Sequence, residues 1–452
     1  MNITASPNRA VMDADDCLDI LGQQPFLNVY TQLSLIYPVA NPSSHEAIIK
    51  TLNDGLLRMA EHLPWVAGQV VRGDPDFRII PFSAMPSLTV RDLRDEQSAP
   101  TMDDLRQARF PFRMLHENLV APRKTIPGGI AGSGPDPTPV FAMQANFVTG
   151  GLILTFVTHH QTMDFTGQRQ VMSLLSRLCR GEQLTDVEIL DANPTRRGRI
   201  QLLGDSYDPA LEADVQYLKP GPVPDAPAPA TWKYFSFSAG SLATIKRLAL
   251  ENMTTPPGFV STDDALTAFI WQSVARVRLV RLGPSTRSLL GRAVDLRRYL
   301  GFPATYPGMV QTMAYHHHSF QELVDMPLGS IASQLRLAVE PSTSTLAYTA
   351  RMLATMIDRA KHKIPEGGTP QTATGLAVSS WTNPAFYTMD FGLDLGNPEA
   401  VRRPAFDEVE SLVYLMPKTP EGEIVVGICL REDDMTELRS DTNFSSHATY
   451  IG

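Results

Sequence analysis

The sequence predicts an α/β fold in two domains of similar size. At 452 residues, 43% of them hydrophobic, the chain exceeds the length at which one core keeps growing and can fill two cores. Strand-type and helix-type hydrophobic patterns occur together in both halves. Between the halves, residues 219–230 hold five prolines, which cannot continue a helix and favour an extended chain. We therefore expect an N-terminal domain at residues 1–218, a linker at 219–230 and a C-terminal domain at 231–452.

The first half predicts two strand regions, two helices and a loop. Residues 27–38 and 139–159 carry the long apolar runs of buried strands. Residues 166–180 have apolar side chains at helical spacing. An earlier helix has the same spacing, with apolar positions at Ile48, Ile49, Leu52, Leu56, Met59 and Leu63. The glycine-rich residues 128–134 predict a surface loop.

The second half repeats the mixture of strands and helices. Short apolar runs predict strands near residues 233–238, 288–296, 309–315, 375–381, 411–417 and 423–430. Longer stretches at helical spacing predict helices near residues 240–251, 262–281 and 328–361. Each half is therefore expected to form a mixed layer of strands and helices.

The charge balance argues against two classes of main partner. Lys and Arg total 39 against 48 Asp and Glu, which gives a net charge of -9. A negative chain is poorly suited to a nucleic-acid backbone or an anionic membrane. Any phosphate-bearing ligand therefore needs a local basic patch.

Cysteine usage and the N-terminal residues predict a cytosolic protein. Cys17, Cys179 and Cys429 are an odd number without paired spacing, which is typical of a reducing compartment and of neither a disulfide framework nor a zinc site. Residues 13–16 include three aspartates, where a signal peptide would be basic and then apolar. The sequence has no apolar run that approaches the length of a membrane span.

His160 is the strongest candidate for chemistry. Residues 151–159 are apolar on both faces and have the length of one buried strand, so the next residue should be held rigidly. Histidine titrates near neutral pH and can take a proton from an alcohol that attacks a carbonyl. Asp164 either orients the ring or stabilises the loop. His159 should point to the opposite face of the strand and pack in the core.

A second motif supports this interpretation. Residues 390–396 read Asp-Phe-Gly-Leu-Asp-Leu-Gly. With H-x-x-x-D at residues 160–164, they resemble the signature pair of the BAHD acyl-CoA-dependent acyltransferases, H-x-x-x-D and D-F-G-W-G. Other stretches agree in order and type, at residues 261–271, 294–297 and 379–381. Within that family the chain is most similar to the fungal trichothecene 3-O-acetyltransferases, at residues 18–25, 63–70, 121–125, 305–308 and 450–452.

The resemblance implies a chloramphenicol-acetyltransferase-like fold, with two mixed-sheet α/β domains and the active site at their interface. A channel would reach His160 from both sides, one for the acyl-CoA and one for the alcohol. His160 would deprotonate the hydroxyl, and Ser379 would donate to the oxyanion. Asp164 would pair with Arg297 and so support the site structurally.

The resemblance also gives the second motif a structural part. Asp390 and Gly392 would shape the channel near coenzyme A. Here the sequence departs from the family pattern, because Leu393 stands where tryptophan is usual and Asp394 where glycine is usual. Ring stacking or a close backbone approach at these two positions is therefore in question.

Five further residues are expected to contact the substrates. Trp381 and Tyr306 are expected to line the substrate channel. Ser261, Lys246 and Arg402 are expected to contact coenzyme A, since basic side chains can bind its phosphates.

The reaction that the resemblance implies is acetyl-CoA-dependent O-acetylation of a bulky apolar alcohol, in particular of the C3 hydroxyl of a trichothecene. Acetyl-CoA would be a co-substrate, and no permanently bound cofactor or metal would be needed. The expected partners are acyl-CoA and a small-molecule alcohol, with no nucleic acid and no membrane. We expect a monomer.

Two alternatives belong to other classes. His159, His160 and Asp164 also fit the H-H-x-x-x-D-G pattern of peptide-synthetase condensation domains, although Phe165 replaces the glycine. Such an enzyme would prefer a carrier-bound acyl donor. The other alternative is a noncatalytic member that keeps the fold as a binding module, which hydrolysis of acetyl-CoA would exclude.

The histidine run at residues 316–318 does not predict a metal site. Adjacent side chains on a strand point to opposite faces, and no acidic cluster or H-E-x-x-H spacing is near. We expect these histidines to lie on an edge strand or to be exposed to solvent.

Overall fold

The computed structural model describes residues 17–73, 76–82, 88–127, 137–207, 229–251, 253, 258–360, 373–382 and 385–452. Its strands are β1 (Tyr30–Pro38), β2 (Gly68–Arg72), β3 (Phe77–Pro81), β4 (Leu88–Asp92), β5 (Phe141–Val148), β6 (Gly151–His159), β7 (Ala230–Phe237), β8 (Arg287–Asp295), β9 (Gln311–Ser319), β10 (Leu376–Ser380), β11 (Ala400–Arg402), β12 (Leu412–Leu415), β13 (Ile424–Arg431) and β14 (Thr449–Tyr450). Its helices are α1 (His45–His62), α2 (Met102–Gln107), α3 (Glu117–Val120), α4 (Phe165–Cys179), α5 (Asp186–Ala192), α6 (Ala239–Glu251), α7 (Thr262–Leu282), α8 (Arg297–Leu300), α9 (Phe320–Asp325), α10 (Leu328–Val339), α11 (Leu346–Ala360), α12 (Glu432–Ser440) and α13 (Thr442–Ser445).

The first sheet has five strands in the order β11-β1-β6-β5-β4. Strand β6 is its centre and pairs antiparallel with β1 and β5 along its length. Every residue of β6 is buried, so both of its faces are covered. A strand that is fixed on both edges and both faces holds the residue at its end in a defined place. His160 occupies that place.

Strand β11 joins the first sheet from the second half of the chain. It pairs antiparallel with β1, with Arg402 opposite Ser34. The chain therefore leaves the second sheet, adds a strand to the first and returns. The sequence placed all of residues 231–452 in the C-terminal domain and did not predict this crossing. The three residues of β11 give too short a hydrophobic pattern to reveal it. The domain boundaries themselves stay a prediction.

The second sheet has seven strands in the order β14-β7-β13-β12-β10-β8-β9. Strand β10 runs parallel to both of its neighbours, β8 and β12, whereas the other pairs are antiparallel. The sheet is therefore mixed, as predicted. A core of side chains from this sheet and from α6, α7, α9 and α10 lies behind it. Strand β10 carries Ser379, which lies opposite Tyr414 of β12.

Two predicted elements are divided in the structure. The region 139–159 is a hairpin of β5 and β6, and Gly150 adopts a φ of 79° in its turn, which glycine does at no steric cost. The region 328–361 forms two helices, α10 and α11. Pro341 follows the end of α10, and its missing N–H and ring prevent the helix from continuing.

Three predictions concern residues outside the described part of the chain. The linker at 219–230, apart from Pro229 and Ala230, lies there, as do the loop at 128–134 and residues 13–16.

All three cysteines are free thiols. Among the described helices, none combines the length and the apolar character that crossing a bilayer requires.

Candidate active site

His160 is the first residue after strand β6. Its backbone N–H donates to the Val29 carbonyl at 2.8 Å, and its ring Nδ1 lies 3.2 Å from the Met163 carbonyl oxygen. Because a carbonyl oxygen can only accept, we assign the proton to Nδ1 and the free lone pair to Nε2. The ring is half-buried. Nε2 is therefore the nitrogen that can act as a base.

The surroundings keep the His160 imidazole neutral at neutral pH. Burial lowers the pKa of His160 below its ordinary value of 6.5. The hydrogen bond to Met163 and the charge of Asp164 raise the pKa, whereas the charge of Arg403 lowers it further. A base must be unprotonated before it reacts, so the lowered pKa extends its working range towards acidic pH.

His159 lies on the opposite face of β6 and is a core residue. Its Nε2 is 3.0 Å from Asn28 Oδ1, and its ring meets Tyr30 edge-on with 5.2 Å between centroids. Burial lowers the pKa of His159 to about 3. The alternation of side chains along a strand predicts this placement.

Asp164 forms a bidentate ion pair with Arg297. Arg297 Nη1 donates to Asp164 Oδ2 at 2.9 Å and Nη2 donates to Oδ1 at 3.0 Å. The carboxylate also accepts from the backbone N–H groups of Gly167 at 2.8 Å and Val310 at 2.9 Å. It thereby caps helix α4. The His160 ring bonds to Met163 instead, so Asp164 takes the structural option of the two that the sequence left open.

The turn at residues 160–164, called the motif turn below, is fixed by hydrogen bonds to the N-terminal segment and to Arg196. Gln161 Nε2 donates to the Gly22 carbonyl at 3.0 Å. Arg196 Nη1 donates to the Thr162 carbonyl at 2.7 Å and to Asp19 Oδ2 at 2.8 Å. Sequence reasoning missed Asp19 and Arg196 because their partners are distant in the chain. The one available signal was that Asp19 lies in the family-like stretch 18–25.

Ser379 lies on β10, and Trp381 orients its hydroxyl. The Trp381 indole N–H donates to Ser379 Oγ at 3.0 Å, which leaves the serine O–H free to donate. Trp381 is only 2% exposed and stacks on Phe165 with 4.1 Å between centroids. Trp381 therefore packs among buried side chains, and its place in a substrate channel stays a prediction. Because Phe165 follows Asp164, the stack connects Ser379 of the second sheet with the motif turn of the first.

The second motif forms a loop against the first sheet. Asp390 Oδ1 accepts from the Gly392 N–H at 2.8 Å, and the Arg180 guanidinium donates to the Asp390 carbonyl. Gly392 has a φ of 68°, a backbone conformation that favours glycine, and a Cβ there would lie 3.1 Å from the Arg180 side chain, which would have to shift slightly. Phe391 stacks on Phe156 of β6 at 5.3 Å. The Asp390 side chain itself is exposed.

The loop accommodates both departures from the family pattern. Leu393 is buried and joins the core of the first sheet. Asp394 adopts a φ of 57°, a left-handed conformation that aspartate tolerates better than most residues other than glycine. The backbone shape that glycine usually provides is therefore present with aspartate.

Two of the residues predicted to contact the substrates are buried. Tyr306 is 2% exposed, and its hydroxyl donates to the buried Asp19. Its hydroxyl is therefore occupied by Asp19, and its place in a substrate channel stays a prediction. Arg402 is 5% exposed, and its guanidinium donates to the carbonyls of Phe110 at 3.2 Å and Val401 at 3.0 Å. These bonds occupy part of its guanidinium, and its contact with coenzyme A stays a prediction. A basic residue in a sequence does not reveal whether it faces a ligand or backbone carbonyls.

Ser261 and Lys246 lie on helices of the second half. Ser261 is the N-cap of α7 and forms a capping box with Asp264. Lys246 is half-buried on α6. Their contact with coenzyme A stays a prediction.

The histidine run lies on β9, an edge strand of the second sheet. His318 Nε2 is 2.7 Å from Gln334 Oε1, and burial lowers the pKa of His316 to about 4. In the described part of the chain, no three histidine, cysteine, aspartate or glutamate side chains form a group that could hold a metal ion.

Known acetyltransferases are similar to this chain along its whole length. It is 46% identical to the O-acetyltransferase dmxR13 of Cryptosporiopsis sp., over 97% of this chain and 98% of that protein. It is 44% identical to the trichothecene 3-O-acetyltransferase TRI101 of Fusarium sporotrichioides, over the full length of both. The crystal structure of that enzyme with coenzyme A and T-2 has a TM-score of 0.89 at 43% identity, and the match covers 97% of this chain and 100% of the solved one.

Two family models match the chain. Residues 29–179 match the trichothecene 3-O-acetyltransferase-like N-terminal domain, and residues 119–445 match the Transferase family. The second match includes more than two thirds of the chain, with both the His160 turn and the Asp390 loop inside it. The chain therefore belongs to the Transferase family of BAHD acyl-CoA-dependent acyltransferases, with a trichothecene 3-O-acetyltransferase-like N-terminal domain.

Proposed function

We propose that this protein transfers an acetyl group from acetyl-CoA to the C3 hydroxyl of a trichothecene. The observation that carries the proposal is His160, whose Nδ1 is held by the Met163 carbonyl at 3.2 Å and whose Nε2 is left as a neutral base. The acceptor is chosen because a relative that is 44% identical is a trichothecene 3-O-acetyltransferase. A related crystal structure contains coenzyme A and T-2.

The proposed reaction uses one base and one hydroxyl donor. His160 Nε2 takes the proton of the acceptor alcohol as its oxygen bonds to the thioester carbonyl carbon. The carbonyl π electrons move onto the oxygen, and the free O–H of Ser379 donates to the resulting oxyanion. The C–S bond then breaks, the carbonyl re-forms as the ester, and the His160 imidazolium returns its proton to the thiolate. The products are the acetyl ester and free coenzyme A.

The first experiment incubates the purified protein with acetyl-CoA and a trichothecene that has a free C3 hydroxyl. The expected product is the mono-acetylated compound, identified by mass spectrometry and located at C3 by NMR. The matched control is the same trichothecene with its C3 oxygen blocked as a methyl ether, which should give no ester. Acetylation of both compounds would contradict the assignment to C3.

A second comparison separates the acyltransferase from the two alternatives. The acetyl donor is supplied either on coenzyme A or on a carrier protein, with the same acceptor present. We expect turnover with coenzyme A and little with the carrier-bound donor. A preference for the carrier would favour the condensation-type alternative. The absence of turnover and of acetyl-CoA hydrolysis, with a broad panel of alcohols, would favour the binding module.

We also propose a monomer in the cytosol. The free thiols of Cys17, Cys179 and Cys429 suit a reducing compartment. Both sides of the proposed site come from one chain, because Arg297 of the second half pairs with Asp164 of the first. Light scattering during gel filtration should give the mass of one chain, and a stable dimer would contradict the monomer.

A further inference from the structure

Arg403 is a buried arginine without an acidic partner among the described residues. Its side chain is nearly inaccessible, at 2% exposure. Its guanidinium lies 4.3 Å from the ring centre of Phe406 and 4.7 Å from that of Tyr414. Nη2 has one long contact, 3.4 Å to Thr125 Oγ1. Nε is sealed from solvent and has no hydrogen-bond partner in the described structure.

The neighbouring Arg402 shows what a purely structural arginine looks like at this place. Its Nε and Nη1 donate to the carbonyls of Phe110 and Val401. Arg402 and Arg403 are adjacent at the end of β11, so their side chains leave on opposite faces. A buried cation with unused donors is costly, and aromatic faces offset only part of that cost. Arg403 therefore has N–H groups to offer to an anion.

The surroundings of Arg403 place it between the two halves of the proposed site. On one side is Thr125, whose carbonyl accepts from the Tyr30 N–H at 2.8 Å, and Tyr30 pairs with His159 at the end of β6. On the other side is Trp381, whose ring centre lies 5.6 Å from the guanidinium. Trp381 is the residue that orients Ser379.

The charge of Arg403 also reaches the base. It lowers the pKa of His160, after the larger effect of burial. The hydrogen bond to Met163 and the charge of Asp164 raise the pKa of His160. The adjacent His159 is itself neutral, because burial lowers its own pKa to about 3. Among the described residues, Arg403 is therefore the cation whose charge lowers the pKa of His160.

We propose that Arg403 is a further catalytic residue, which donates N–H groups of its Nη atoms to the negative charge that forms on the thioester carbonyl oxygen. This inference rests on the proposed acetyl transfer and deepens it. As the acceptor oxygen bonds to the carbonyl carbon, its proton passes to His160 and an electron pair moves onto the carbonyl oxygen. Arg403 and Ser379 share that charge until the C–S bond breaks and the pair returns.

The test compares three variants with the wild type. Arg403→Met removes the charge and keeps the length of the side chain, Arg403→Lys keeps the charge, and Arg402→Met is the matched control on the opposite face. We expect Arg403→Met to lower kcat by about 10²–10³-fold, the usual loss for one oxyanion donor. The KM values should change little, because the interaction is made only in the transition state. Arg403→Lys should recover part of the loss.

The pH profile distinguishes this role from a purely structural one. Removal of the charge should move the acidic limb of kcat/KM to higher pH in Arg403→Met, because the pKa of His160 rises. Arg402→Met should lower the melting temperature and leave the acidic limb in place. If Arg403→Met does not fold, Arg403→Gln takes its place with the same expectations.

Two results overturn the inference. A folded, neutral variant at position 403 whose kcat stays within about threefold of wild type shows that no transition-state donor was lost. A variant whose KM rises while its kcat is unchanged assigns Arg403 to substrate binding alone. The wild type is measured first, so failure of the proposed function is recognised separately: an inactive wild type overturns both, whereas an active wild type with an active Arg403→Met overturns only the role of Arg403.

Discussion

At the scale of single residues, the base of this site is oriented by a backbone carbonyl. In serine-protease triads a carboxylate holds the histidine ring, whereas here the Met163 carbonyl holds His160 Nδ1 and the carboxylate of Asp164 is committed to Arg297. A neutral carbonyl stabilises the imidazolium less than a carboxylate does. The proton that His160 takes from the alcohol is therefore returned readily to the departing thiolate.

The Ser379 hydroxyl gives a prediction at this scale. Ser379→Ala removes the proposed oxyanion donor and should lower kcat by about 10²-fold or more with little change in KM. The matched control is Ser380→Ala. Its hydroxyl donates to Asp263 and lies on the other face of β10, so its effect on kcat should be much smaller. Steady-state kinetics of acetyl transfer measure both, and equal losses would contradict the role of Ser379.

The sequence predicted some of these residues and not others for a physical reason. His160, Asp164 and Arg297 lie in motifs that preserve residue type and spacing. The Met163 contact uses a backbone carbonyl, which any residue could supply, so no side chain marks it. The contact of the Tyr306 hydroxyl with the buried Asp19 was not predicted, because the two residues are distant in the sequence.

At the scale of elements, the motif turn is a short segment held at several points. Asp164 caps α4 and binds Arg297, and Gln161 and Thr162 are tied to the N-terminal segment through Gly22 and Arg196. A turn with this many fixed groups keeps His160 Nε2 in one position. Positioning of the base to within a fraction of an ångström is what efficient proton transfer requires.

The ion pair of Asp164 should matter for stability. Asp164→Ala leaves Arg297 buried with its main partner gone and should reduce the free energy of unfolding by about 3–5 kcal/mol. The matched control is Asp295→Ala, since Asp295 contacts the same guanidinium at 2.9 Å but is 41% exposed. Its loss should be about 1 kcal/mol or less. Urea denaturation measures both variants, and losses of equal size would contradict the account of the turn.

Helices and strands were predicted well where their hydrophobic pattern is long. They were predicted poorly where a proline interrupts the pattern or the strand is very short. Helix α7 and strand β6 have extended patterns and match their predicted regions closely. The predicted helix at 328–361 is broken after α10 because Pro341 cannot continue it. Strand β11 was not predicted, since its position depends on pairing with β1 in the other half.

At the scale of the whole molecule, the site exists only when both sheets are in place. His160 comes from the first sheet and Ser379 from the second, and the Trp381–Phe165 stack joins them. Strand β11 also ties the second half to the first sheet. Unfolding of either half is therefore expected to abolish the activity of the whole protein.

Three histidines whose pKa is lowered in the folded protein predict how stability depends on pH. Burial lowers the pKa of His159 to about 3 and of His316 to about 4, and it lowers the pKa of His160 as well. In the unfolded chain these groups titrate near 6.5. Below that pH the unfolded state binds more protons than the folded state, so stability falls as the pH falls.

The expected loss from His159 alone is about 2 kcal/mol between pH 7 and pH 5, at about 1.4 kcal/mol per pH unit below 6.5. His159→Gln removes this titration and keeps a side chain that can bond to Asn28. Its unfolding free energy should therefore fall less steeply over the same range, even if the variant is less stable at pH 7. Parallel slopes for wild type and variant would show that His159 is not buried in its neutral form.

The most direct test of the central claim is the turnover of His160→Ala in acetyl transfer from acetyl-CoA. The variant should fold, with a melting temperature close to that of the wild type, because the His160 side chain makes one hydrogen bond in the described structure. Loss of the general base should lower kcat by roughly 10²–10⁴-fold. Turnover of folded His160→Ala at a rate near that of the wild type would show that another group takes the proton and that His160 is not the general base.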